Sequence, residues 1–143
     1  MSTSLINTLF YEEPAGTFAH GHIFKSAPDL VSARQDPGNG YWHCNLADHD
    51  ALTWSAEVYE LFGLPAGAPV TRDMALARYD QHSRMALDSV RKYALLRDFG
   101  FILDAGISAG SAYDRRIRVL AVPILGDGRV VGLHGVKRGL YLV

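Results

Sequence analysis

One cysteine, Cys44, is all the thiol the chain has, so neither an internal disulfide nor a thiol-rich metal site can be built from it. No apolar run approaches the roughly 18 residues that a membrane-spanning helix needs. Neither sign of charge dominates: 14 Lys and Arg stand against 15 Asp and Glu, for a formal net charge of -1. A surface so balanced has no field to recruit DNA or an anionic membrane, which argues against nucleic acid and membrane as partners. The opening MSTSLINTLFYEE lacks a basic stretch followed by a long apolar one and runs into Glu12 and Glu13. A secretory leader is therefore not expected, and a cytoplasmic setting is. Repeats and low-complexity tracts are missing. So are the Gly-x-Ser-x-Gly elbow and the Gly-x-x-x-x-Gly-Lys loop, which removes two common signatures of hydrolases and nucleotide enzymes.

What is present is ordinary globular composition, 48% hydrophobic and 20% charged over 143 residues, enough for one core and one domain. Residues 1–40 form an irregular arm, broken by Pro14, Gly16, Gly21, Pro28, Pro37 and Gly38. Within it Leu5, Ile6, Leu9 and Phe10 fall on one side of a short helix, and Ser26 with Pro28 opens a second.

From Tyr41 the pattern is regular. Trp42, Cys44 and Leu46 alternate with Tyr41, His43 and Asn45, the period of a strand with one buried face. A polar turn at Asp48–Asp50 leads to a second strand with Leu52 and Trp54, making a hairpin. Ser55 is placed to cap a helix over residues 56–62 that stops at Gly63, and Thr71 starts another short one. The strongest helix signal runs over 82–98, with Ala86, Leu87, Val90, Tyr93 and Ala94 on one face at about 100° per residue, Arg91 opposite, and Gly100 as the stop. Strands follow over 101–108, 115–125 and 129–137, the last two joined by an Asp127-Gly128 hairpin turn. Strands and helices segregated in this way give an α+β domain: an antiparallel sheet covered by helices on one face.

The run TWSAEVYELFGLPAGAPVT from Thr53 to Thr71, the long helix, and RIRVLAVPILGDGRVVGLHGVKR from Arg116 to Arg138 together resemble a PAS domain of the kind common in bacterial sensor proteins. The resemblance implies a five-stranded antiparallel sheet with helices on one face, here over 41–138, behind the N-terminal arm and before a short tail at 139–143. Two stretches depart from the family pattern. Where such domains carry His-Pro-Asp-Asp-Arg before the long helix, this chain has Asp80, Gln81, His82, Ser83 and Arg84. Where they leave the last strand through Asp-Ile-Thr, it reads Gly139, Leu140, Tyr141.

A PAS-like sheet and its helices enclose a cavity, so inward residues become its candidate lining. These are Trp42 and Cys44, Tyr59 and Phe62, Val90 and Tyr93, and Leu103, Ile107, Ile117, Val119 and Leu133 on the later strands. A packed core needs such residues in any case. The ligand reading therefore rests on three polar handles, the Tyr59 and Tyr93 hydroxyls and the Cys44 thiol, because a buried hydroxyl needs a partner. Arg97, on the extended apolar stripe, either reaches out to water or caps the cavity for an acidic ligand. Arg116 and Arg118 alternate to the outer face of the sheet.

The sequence names no cofactor. Light-sensing relatives of the family attach flavin to a cysteine in a helical Asn-Cys-Arg-Phe-Leu run, whereas Cys44 lies in a strand before Asn45 and Leu46. Haem-binding relatives use a histidine of the long helix, where this chain has His82 in the first turn. Flavin and haem are disfavoured on these grounds. His20, His22, His43 and His49 lack the spacing of a metal site. The reading that results is a non-enzymatic sensory or signalling protein that binds a small molecule or a partner in trans. The alternative is a small α+β enzyme of the ketosteroid isomerase or dehydratase type, although those chains place their long helices first.

Leu120, Val122 and Ile124 with Val130, His134 and Val136 alternate to the face away from the helices, an apolar patch that needs a cover. A homodimer in which Leu5, Leu9 and Phe10 of the arms meet Leu120, Val122, His134 and Val136 supplies one, and the chain's own arm folding back is the other. Protein purified from its host is expected to be colourless, and a visible absorption band would contradict the exclusion of flavin and haem.

Overall fold

Alternation, turn chemistry and one long amphipathic helix resolve into a single antiparallel sheet. The computed structural model describes residues 22–24, 30, 35–108 and 114–140. Its elements are β1 (His22–Phe24), β2 (Asn39–Asn45), β3 (Ala51–Trp54), α1 (Ala56–Phe62), α2 (Arg72–Leu76), α3 (Gln81–Arg97), β4 (Gly100–Ser108), β5 (Asp114–Gly126) and β6 (Arg129–Leu140). The sheet has six strands in the order β1-β4-β5-β6-β2-β3. Five of them are the strands expected from the sequence. The sixth, β1, comes from the arm and pairs with β4, Ile23 opposite Phe101. The helix expected at Leu5–Phe10 lies outside the described residues, as does most of the one opening at Ser26.

Local chemistry sets the boundaries. Thr71 caps α2 by accepting from Met74 N at 3.2 Å, and Asp80 caps α3 by accepting from Ser83 N at 2.7 Å. That amide, the larger influence, and the Ser83 hydroxyl hold the Asp80 carboxyl below its ordinary range. Ser55 precedes α1, yet its hydroxyl accepts from Tyr41 N at 2.9 Å instead of capping the helix, so it ties the helix start to β2. The residue that stops α3 is Asp98, in the left-handed region at φ 55°, and Gly100 already belongs to β4. Asp127 and Gly128, at φ 52° and 79°, make the tight turn between β5 and β6.

The sheet closes on itself in sequence terms through β2 and β6, which set Trp42 opposite Gly135, Cys44 opposite Leu133 and Gly40 opposite Lys137. A side chain at 135 would run into the Leu120 carbonyl of β5, so glycine is required there by close backbone approach. Helices cover one face, where Trp42, Trp54, Val58, Phe62, Val90, Leu103, Ile117 and Leu133 share the main core. On the other face Ile102, Leu120, Val122 and Val136 form a second cluster with Leu30, and Phe24 packs against it.

Val90 is 4% exposed on the sheet-facing side of α3. Val90→Asp must leave a carboxylate unpaired or protonated in that core and is expected to cost about 3 kcal/mol or more in urea unfolding. A midpoint unchanged by the substitution would contradict the packing of α3.

Candidate functional site

Alternation along β6 has an unusual outcome: Leu133, Gly135 and Lys137 share the inner face, so a lysine enters the core. Lys137 is 7% exposed. Its ammonium lies 4.9 Å from the ring centre of Phe62, 5.4 Å from that of Trp42 and 5.6 Å from those of Trp54 and Tyr79. Its hydrogen-bond partner is the Tyr79 hydroxyl, which accepts at 3.1 Å. Among the described residues no carboxylate lies within ion-pair distance of it. Burial therefore pushes the amine down from 10.5 to about 7.

Tyr79 is held in the α2–α3 link by the edge of β4. Asp80 N donates to Gly106 O at 3.0 Å and Ser108 N to Arg78 O at 2.8 Å. The Ser83 hydroxyl accepts from Gly106 N at 2.8 Å. With the backbone sewn down on both sides, the Tyr79 ring points inward against Phe62, 5.7 Å between centres. Burial pushes its phenol well up.

Beside these groups lies a cavity with room for several waters or a small organic molecule. Trp42, Cys44, Trp54, Tyr79, Val119, Leu133 and Lys137 are among its walls, and Arg72 of α2 and Arg91 of α3 also border it. Each arginine is already paired, Arg72 with Asp88 at 3.1 Å and Arg91 with Asp50 at 3.4 Å. Trp42 Nε1 is buried and has no acceptor among the described residues. Cys44 Sγ stands 3.9 Å from Asp50 Oδ1. Desolvation first, and then the Asp50 charge, raise its thiol pKa, so it is a poor nucleophile.

A domain of a protein described as a light and redox sensing histidine kinase, from Haloarcula marismortui, superposes on this fold with a TM-score of 0.64 at 15% identity, over 77% of this chain and 96% of that one. The N-terminal domain of a diguanylate cyclase with PAS/PAC sensor from Marinobacter aquaeolei gives 0.64 at 16% identity, over 71% and 94%. An RNA-binding light-oxygen-voltage receptor gives 0.62 at 17% identity over 72% of this chain, which spans 29% of the receptor. The fold is that of a PAS/LOV sensor domain. No protein-family model and no curated protein matches the sequence.

Within this PAS fold the residues singled out from sequence divide. Trp42, Cys44, Val119 and Leu133 line the cavity. Tyr59, Phe62, Val90, Leu103, Ile107 and Ile117 are buried in the same core behind it. The Tyr59 hydroxyl is spoken for, donating to Ala68 O at 2.7 Å. Tyr93, expected to face the sheet, is half-buried under Arg97, whose guanidinium carbon sits 3.6 Å from its ring centre, and neither residue borders the cavity. The i, i+4 pair is satisfied on the helix surface instead. Arg91, expected to point away, swings to Asp50 and borders the cavity. On the outer face Leu120, Val122 and Val136 meet the same chain's Phe24 and Leu30, while His134 Nδ1 bonds the Tyr41 hydroxyl at 2.9 Å. Leu5, Leu9 and Phe10 lie outside the described residues. Lys137 and Tyr79 were not singled out; continuing the alternation from Leu133 would have found the first. No helix among the described residues is long and apolar enough to cross a membrane, and no group of His, Cys, Asp and Glu among them is placed to hold a metal.

Because the folded amine titrates near 7 and the unfolded one near 10.5, the unfolded chain binds more protons between those values and stability rises with pH across that window. Well below pH 7 the buried ammonium carries its full penalty, on the order of 5 kcal/mol. Lys137→Met is expected to be the more stable protein in urea at neutral pH, with its advantage shrinking by about 3 kcal/mol by about pH 9.5. An advantage that does not change with pH would show that the amine is not desolvated.

Proposed function

We propose that this chain is a PAS-type sensory domain that binds a small molecule between the helices and the sheet and passes its occupancy to a partner protein in trans. One observation carries the reading: a cavity whose walls hold a buried indole N–H with no acceptor, and a buried lysine with no counter-ion, among the described residues. Buried polar groups in folded proteins are nearly always satisfied, and a ligand can satisfy these. The PAS fold of sensor proteins supports the role by analogy. Binding, and not conversion of a substrate, is the activity proposed. A homodimer is part of the same proposal, but its contact is not the apolar set Leu120, Val122 and Val136, which the same chain's Phe24 and Leu30 already bury.

Native mass spectrometry after exposure to a small-molecule extract of the host tests the ligand. A retained non-covalent mass is expected, weakened by Trp42→Phe, which keeps the ring and removes the N–H. A mass and melting temperature that the extract leaves unchanged would overturn ligand sensing. Light scattering of the full chain at tens of micromolar tests the assembly, and a monomer there removes the dimer from the proposal.

A further inference from the structure

The polar groups around the cavity are mostly donors. Lys137, Arg72, Arg91 and the Trp42 indole only donate, Tyr79 and Cys44 carry a hydroxyl and a thiol, and no carboxylate or amide side chain is among the lining residues. The two carboxylates nearby, Asp88 and Asp50, are engaged by Arg72 and Arg91. Among the described residues, three basic groups against two acidic ones leave a single positive charge without a match, and it is the one enclosed by ring faces. We propose that the cavity is a site for a small organic monoanion, a carboxylate on a flat apolar body, whose charge is balanced by Lys137 and whose body lies against Trp42, Trp54 and Leu133. The proposal rests on the ligand-binding reading and adds the chemical class.

Competing classes fit less well. An amine or other cation would meet Lys137, Arg72 and Arg91, all of its own sign. A neutral apolar ligand would leave the ammonium unbalanced and dry it further. A dianion would exceed the one free charge and would have to pull Arg72 or Arg91 from its aspartate. The apolar walls give the ligand's body the area that a bare inorganic anion could not use.

Proton linkage makes the class measurable. An anion favours the ammonium, so an amine that titrates near 7 in the empty site takes up a proton when the anion binds above that pH. Of the other groups facing it, Cys44 and Tyr79 are shifted upward from 9.0 and 10.0, away from that window, Arg72 and Arg91 are held by Asp88 and Asp50, and no histidine is among the lining residues.

The experiment is calorimetric titration of the full chain with benzoate and with benzamide, its neutral near-isostere, at about pH 6.5 and about pH 8.5 in buffers of different ionisation enthalpy. Benzoate is expected to bind at least about tenfold more tightly than benzamide at the lower pH. Its affinity should fall about twentyfold at the higher pH, with close to one proton taken up per ligand. Lys137→Met, a variant expected to fold, should lose the preference for the acid and keep the affinity for the amide. Equal binding of acid and amide with no proton uptake overturns the anion assignment while the ligand pocket stands. Absence of binding by benzoate and by propionate at about ten millimolar overturns it as well, and the metabolite mass experiment then shows separately whether the pocket reading survives.

Discussion

Everything in the molecule hangs on the pairing of β2 with β6. These strands are far apart in the chain, and bringing them together closes a loop that contains α1, α2 and α3. Such closure carries an entropic cost that local hairpins do not, and it must be met by burial on both faces. The register delivers that burial. Trp42 and Cys44 land opposite Gly135 and Leu133, and Gly135 accepts the close approach of the Leu120 carbonyl that any side chain would block. Only through this pairing do Trp42 and Lys137 belong to one site.

Two basic side chains are buried among the described residues, and their surroundings separate structure from site. Arg118 is held by both oxygens of Asp104 at 2.6 and 2.8 Å across β4 and β5, a bidentate pair that matches its charge. Lys137 has four aromatic rings and one phenol. A ring face contributes about 0.5–2 kcal/mol to a cation, and a hydrogen bond to a charged group about 1.5–3 kcal/mol. Desolvation of an ammonium costs several kcal/mol, so these contacts reduce the penalty and do not cancel it. A folded amine near 7 is the expression of that shortfall. Tyr79 cannot be moved to relieve it, because the backbone on both sides of it is bonded to β4.

The hairpins, the helices and the inner face of each strand were legible because their signals are local: alternation in Trp42 and Cys44, an Asp-Gly turn at 127–128, a stripe through Ala86, Val90 and Ala94. The site was legible only in part. Lys137 obeys the same alternation as Leu133, but lysine is so seldom buried that composition argues against following the pattern to it. Tyr79 sits in an aperiodic link, and its inward aim comes from bonds to Gly106 and Ser108, far along the chain. Arg91 was misplaced for a related reason. A long side chain goes where its partner is, and Asp50 lies across the groove in the β2–β3 turn. Tyr93 failed in the opposite sense, since Arg97 one turn on gave it a surface partner.

Shared architecture at 15–17% identity shows the fold and leaves the chemistry of a site free. In this chain β6 joins that chemistry to the rest of the surface. Lys137 faces inward, and the next residue, Arg138, faces outward and donates to Asp36 and Asn39, both at 2.9 Å, where the arm enters the sheet. The Gly38 amide and Arg138 hold the Asp36 carboxyl below its ordinary range, so the clasp stays ionic at neutral pH. Successive residues of a strand cannot be displaced independently. A shift of β6 that accommodates a change at Lys137 is therefore felt at the Arg138–Asp36 pair, which makes this strand a direct mechanical path from the cavity to the arm.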